Sequence, residues 1–316
     1  MRRIAAALSL PLLAVMILAG CGSSTSASQD PNGSVQVTGA FGVAPTVKIP
    51  ASKAGSKLAI KTLIKGKGPV LGATDSFVGN YAVYIWSGTT HKLALSTFTK
   101  GSSPQVLAAD VGLPGLKKAL TGEKMGSRVL AVLPPKEAYG SRGNPQIGVT
   151  GTDTIVFVVD LIKDFSATAA ASGTHLSNGG GALPTVTAKP GSAPQVKIPA
   201  RRPPTKLVVK MLIKGSGPPT AKGQTIVTQY VGVNWRTGKA FDSSWSRKEP
   251  FGFTLDASPA QIIPAWDTGL LGVPVGSRVL LVVPPVDGYG KKGNSAAHIK
   301  GTDTLVFVVD IVGAVG

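Results

Sequence analysis

Seven aromatic residues, Tyr230, Phe241, Phe251, Phe253, Trp266, Tyr289 and Phe307, fall within eighty positions of a chain that is only 6% aromatic. Any one of them reads as core packing. Their polar companions point elsewhere. Asp242 directly follows Phe241, and Arg247 comes five residues later. Tyr289 stands in a turn, "DGYG", where an aromatic gains little as core. Together they shift the balance from plain core packing toward an aromatic pocket with a few polar groups at its edge. Hydrolytic chemistry is poorly supported. The three histidines, His91, His175 and His298, sit in no metal-binding helix motif, no nucleophile elbow and no Cys–His arrangement. The pattern calls for no metal and no cofactor.

The elements that must position these residues are written twice. "GTDTIVFVVD" from Gly151 returns as "GTDTLVFVVD" from Gly301, "KLAIKTLIKGKGP" from Lys57 as "KLVVKMLIKGSGP" from Lys206, and "GSRVLAVLPP" from Gly126 as "GSRVLLVVPP" from Gly276. So long a period excludes a solenoid and means a duplicated globular domain. The first copy spans 37–165 and the second 186–316. The segment 166–185, small and Gly-rich, reads as a linker without a core-forming pattern. The offset between copies changes by one residue, a change placed between Trp86 and Lys92.

In the second copy, strands are expected over 207–213, 225–235, 278–283 and 304–312. The last two are nearly continuous apolar runs, buried on at least one face. The stretch "SPAQIIPAWDTGLLG" is the only helix candidate, with Pro264 in its first turn and Gly272 at its end. The expected fold class is α+β: two tandem domains, each an antiparallel sheet with one hydrophobic face wrapped around one short helix.

The first 21 residues form a leader: a basic start, an apolar run from Ile4 to Ala19, then Leu18-Ala19-Gly20-Cys21. This end resembles the lipobox of bacterial lipoproteins, which implies lipidation of Cys21. A plain signal peptide cut elsewhere is the alternative. Cys21 is the only cysteine, so no internal disulfide can form. Residues 22–36 read as a flexible tether. The expected location is outside the cytoplasmic membrane, held to its surface by the lipid. A secreted protein rarely meets nucleic acid, so the formal net charge of +18 suits anionic lipid or cell-wall polymer, or plain solvation of the surface.

"VTQYVG", "GKAFDSSWSRKEPFGF", "QIIPAWDTGL", "GSRVLLVVPP", "DGYG" and "TDTLVFVVDIV", in this order and spacing, resemble the FKBP-type peptidyl-prolyl cis–trans isomerases over essentially a whole domain of the second copy. The resemblance implies a five- or six-stranded antiparallel sheet on one short helix, with proline-containing polypeptides as substrates. It implies a pocket lined by Tyr230, Phe241, Asp242, Arg247, Phe251, Ile262, Ile263, Trp266, Tyr289 and Phe307. Trp266 would be the floor, Tyr289 a donor to the substrate carbonyl, and Asp242 a rim carboxylate paired to Arg247. Ile299 would take an apolar rim position. One departure is Gly288, where the family usually has Ala. In the first copy, Phe241-Asp242 aligns with Ala94-Leu95, Trp266 with Leu116 and Ile262 with Gly112. The expectation is therefore an isomerase of the cell envelope, active in the second copy and assisting the folding of exported proteins. The alternative is a lipoprotein whose FKBP-like domains bind and turn over nothing.

Overall fold

A computed structural model describes residues 30–109 and 112–316. The leader, Cys21 and most of the tether lie outside the described residues. Each copy builds one antiparallel sheet. In the first, the strand order is Ala59–Ile64, Arg128–Leu133, Thr154–Phe165, Ser76–Ser87, Thr90–Ser96, with Gln105–Ala108 added to the far half of Ser76–Ser87. In the second it is Val208–Gly215, Arg278–Val283, Leu305–Val315, Thr225–Asn234, Ala240–Ser243, with Phe251–Thr254 added in the same way.

The repeated strands Thr154–Phe165 and Leu305–Val315 run through the middle of these sheets. Both faces are covered, in keeping with the expected burial on at least one face. A short helix, Pro114–Leu120 or Pro264–Leu270, packs on one face among Leu116, Leu120 and Val159, or among Trp266, Leu270 and Val309. A small ribbon covers the other: Gln36–Thr38 with Thr46–Lys48, or Thr185–Thr187 with Gln195–Lys197. Burial on two sides explains why these strands read as unbroken apolar runs instead of alternating.

The last Asp of each repeated stretch anchors the scaffold. Asp160 accepts two hydrogen bonds from Arg128 at 2.6 and 2.7 Å, and Asp310 two from Arg278 at the same distances. Both pairs are buried. Each carboxylate also takes a backbone N–H from a passing segment: Gly42 in the first copy, Ala171 in the second.

Three expectations need correction. Residues 166–185 are not a free linker. Gly173–His175 joins the second sheet as an edge strand on Val208–Gly215, and the Ala167 carbonyl accepts from Gln229 at 2.8 Å. Residues 30–35 of the tether are likewise ordered: Asn32 is buried, donates to the Gly55 and Lys57 carbonyls, and Val35 enters the core. Pro264–Leu270, which starts at Pro264 as expected with Ile263 extended at φ −70° and ψ 149°, is not the only helix of the second copy. A further short helix, Ser244–Arg247, was not foreseen.

The length change between copies has two parts. Val83 pairs with Leu95 where Gly232 pairs with Asp242, so the first copy carries a longer hairpin at the expected place. The second copy compensates with a longer segment between Ser243 and Pro264, which holds the extra helix and the Phe251–Thr254 strand.

The two copies dock through equivalent faces. Val78 and Phe165 are buried together with Val227, and Val106, Ile162, Val312 and Val315 pack around them. The fit is asymmetric. A Cβ on Gly252 would collide with the Val106 side chain, and one on Gly313 with the Phe165 ring. The first copy supplies the protruding side chains and the second the gaps. Ser103 Oγ adds a hydrogen bond to the Gly223 carbonyl at 3.0 Å, and Thr225 Oγ1 one to the Pro104 carbonyl.

Candidate active site

Trp266 stands one turn into the helix Pro264–Leu270 and is 3% exposed. Four rings surround its indole edge to face: Tyr230 at 5.2 Å, Phe307 at 5.4 Å, Phe253 at 5.5 Å and Phe251 at 6.1 Å between centroids. Above the indole opens a cavity of about 420 Å³, lined by Tyr230, Phe241, Asp242, Phe251, Trp266 and Tyr289 among others. Its volume lies within the range of roughly 300–1,000 Å³ usual for small-ligand sites. The indole Nε1 is buried and has no hydrogen-bond partner among the described residues.

The walls follow from local rules. Tyr230 comes from a buried strand, and its backbone N–H donates to Ser244 Oγ at 2.8 Å, which ties the strand to the short helix. Phe241 lies across Gly232 and meets Phe307 edge to face at 5.6 Å. A Cβ on Gly232 would strike the Phe241 ring; the first copy has Val83 at this place. Ile262, Ile263, Ala260 and Gln261 line the cavity from the loop before the helix. Gln261 holds that loop by accepting from the Thr254 N–H at 2.9 Å.

At the rim, three side chains close a ring of hydrogen bonds. The Tyr230 hydroxyl donates to Asp242 Oδ2, Arg247 Nη1 donates to Asp242 Oδ1, and Arg247 Nη2 donates to the Tyr230 oxygen at 3.0 Å. The guanidinium also lies 5.6 Å from the Tyr230 ring centroid. Burial, then the bond to Asp242, pushes the Tyr230 phenol up to about 12. For Arg247, partial burial is outweighed by its bonds to Tyr230 and Asp242, which raise it further. The carboxylate is thus paired on both oxygens and held in one orientation. Tyr289 stands across the mouth between two tight turns, 37% exposed, and its hydroxyl is committed to no described residue.

Of the residues expected at the pocket, the structure brings together Tyr230, Phe241, Asp242, Phe251, Ile262, Ile263, Trp266, Tyr289 and Phe307 around the cavity, with Arg247 bonded behind Asp242. Ile299 is the exception. It exchanges two backbone hydrogen bonds with Asn294, which closes the loop and turns its side chain into the core at 4% exposure. Sequence reasoning missed Ala260, Gln261 and the space-making Gly232. Among the described residues no group of three or more His, Cys, Asp or Glu could hold a metal.

The first copy keeps a hollow at the same place, but a different one. It measures about 160 Å³ and is lined by Tyr81, Leu95, Leu113, Leu116, Tyr139 and Phe157 among other apolar residues. Leu116 takes the helix position of Trp266, and strand pairing puts Leu95 where Asp242 stands. Tyr81 donates instead to Gln105 at 2.8 Å.

The sequence profile of the family described as FKBP-type peptidyl-prolyl cis-trans isomerase matches residues 81–162 and 217–312, more than half of the chain. The chain belongs to the FKBP family. An FK506-binding protein of Streptomyces anulatus is 41% identical over 119 residues, which is 38% of this chain and 94% of that protein. A probable FK506-binding protein of Corynebacterium glutamicum is 36% identical over 121 residues, 38% of this chain and 98% of that one. The crystal structure of FkpA from Escherichia coli aligns at 36% identity with a TM-score of 0.32, covering 35% of this chain and 49% of that one. The protein is therefore an FKBP-type peptidyl-prolyl cis–trans isomerase with two FKBP regions, and proline-containing peptides are its substrates.

What such a site must do is limited. Rotation about an X–Pro bond has a barrier of about 18–20 kcal/mol, because amide resonance must be broken. Uncatalysed, it takes tens to hundreds of seconds. No bond to the protein has to form. A prolyl ring set on an apolar floor leaves the planar, more polar amide poorly solvated relative to the twisted one. Donors at the rim can fix the carbonyl while the rest of the bond turns.

Proposed function

We propose that the isomerase activity of this chain resides in its C-terminal domain, residues 186–316, at the cavity above Trp266. In this reading Trp266 carries the prolyl ring. Tyr289, whose hydroxyl is uncommitted, donates to the substrate carbonyl. Asp242, held in one orientation by Tyr230 and Arg247, orients the twisting amide from the rim. Phe241, Phe251, Ile262, Ile263 and Phe307 keep water out. The N-terminal domain, residues 37–165, is non-catalytic. The contrast between the two hollows is the observation that supports this division: Leu116 and Leu95 replace the indole and the carboxylate on an otherwise equivalent scaffold.

The same proposal places the protein outside the cytoplasmic membrane, anchored by a lipid on Cys21, where it assists the folding of exported proteins. The apolar leader ending in Leu18-Ala19-Gly20-Cys21 supports it, as does the positive charge, which suits anionic lipid or envelope polymer.

The test is made on the full chain with a proline-containing tetrapeptide. Asp242→Leu copies the first domain and is expected to lower kcat/KM by about tenfold, near 1.4 kcal/mol. Leu95→Asp, the reverse copy, is expected to create no second active site. Wild-type activity from the Asp242→Leu protein would move the site elsewhere. For the anchor, Cys21→Ser is expected to shift the protein from the membrane fraction to the soluble one. A variant that stays with the membrane would remove Cys21 from the account.

A further inference from the structure

The hollow in the first domain is smaller than the one above Trp266, yet it is not closed. It measures about 160 Å³, and its lining is apolar apart from two tyrosine hydroxyls. At the mouth, where the second domain has a carboxylate, stands Leu95, 44% exposed, with Leu93 nearby on the same strand at 51%. Exposed leucines beside an open apolar hollow mark a contact surface. The aromatic floor has become aliphatic, through Leu113, Leu116 and Leu120. The Tyr81 hydroxyl is already satisfied by Gln105, and burial raises its pKa, so no charge forms there at neutral pH.

We propose that this hollow is a non-catalytic binding site for one aliphatic side chain of an extended polypeptide. The volume selects the ligand: it falls well below the roughly 300–1,000 Å³ of sites that take a whole small molecule. The lining selects its chemistry, since a branched aliphatic side chain satisfies a leucine-walled pocket and a charged or amide one does not. The occupant is a polypeptide because the docked neighbour works on polypeptides; in this respect the proposal rests on the functional reading above. A chain held by a leucine in the first domain presents its prolines to the second at a raised local concentration, because the two domains share a packed interface.

The test is fluorescence anisotropy on the full chain with a labelled, proline-free Gly/Ser peptide of fifteen residues carrying two central leucines. Because the probe lacks proline, the result stands whether or not the second domain turns over prolyl bonds. Replacement of the two leucines by serine is expected to abolish binding. Leu95→Asp is expected to weaken binding about tenfold, while Leu95→Met retains it. Leu95 is partly exposed, and melting temperatures measured alongside show that the variants fold. Equal affinity for the leucine and serine peptides, or an Asp variant that binds like wild type, overturns the proposal.

Discussion

Val106 of the first domain occupies the space that any side chain on Gly252 of the second would need. Gly252 lies between Phe251 and Phe253, two of the rings packed on Trp266. The seam between domains therefore backs directly onto the wall of the cavity above Trp266. Gly252→Val is expected to destabilise the full chain by about 1–3 kcal/mol, as overpacking does, and to lower isomerase activity through Phe251. The paired exchange Val106→Gly with Gly252→Val is expected to recover part of the loss. Thermal unfolding of the four proteins in a double-mutant cycle measures this coupling. Strict additivity would mean that the two residues do not meet.

The Asp242–Arg247 pair is half exposed, with side-chain exposures of 40% and 45%. Surface pairs of this kind add at most about 1 kcal/mol to stability. Arg247→Ala is therefore expected to leave the melting temperature nearly unchanged while lowering kcat/KM several-fold, because Asp242 and Tyr230 lose their common partner. A large drop in melting temperature with full activity would assign the pair to the fold instead.

The Tyr230 phenol, pushed up from 10.0 to about 12, keeps its proton throughout the neutral range. The folded state holds this proton more tightly than the unfolded chain does. Its contribution to stability is thus fully present below the unfolded value near 10 and is lost as pH rises through about 12. Denaturant midpoints of wild type and Tyr230→Phe, compared between pH 9 and 12, are expected to converge on the alkaline side. A difference that does not change with pH would show that burial and Asp242 leave this phenol unperturbed.

Gly288 has φ −112° and ψ −120°, close to Ala138 in the first copy at −119° and −116°. A Cβ there would make only ordinary contacts, the nearest being Val283 Cγ1 at 3.5 Å. Gly288→Ala is expected to stabilise the protein by about 0.4–1 kcal/mol through the unfolded state, read as a higher melting temperature. Destabilisation would mean that the turn before Tyr289 requires glycine.

Much of this was legible in the residues. Phe241-Asp242, the Tyr289 turn and Trp266 behind Pro264 are local patterns, and local patterns fix which way a side chain leaves its strand or helix. The misplacement of Ile299 has the opposite cause. It sits in an irregular loop, where no periodicity says which side faces in, and its orientation is set by a backbone closure onto Asn294. The two-sided burial of the central strands depended on ribbons from residues 36–48 and 185–197, whose docking is long-range. The interface was hidden for the same reason. A glycine within a strand announces a close approach but not its partner; only the fold shows that Gly252 meets Val106 and Gly313 meets Phe165.

The most direct measurement is the isomerisation rate of a prolyl tetrapeptide by the full chain carrying Trp266→Leu, the residue that the first domain has at the same helix position. The expected result is a fall in kcat/KM of about a hundredfold, near 2.7 kcal/mol, with the far-ultraviolet spectrum of the native fold retained. A folded Trp266→Leu protein that isomerises the peptide at the wild-type rate would contradict the assignment of the pocket.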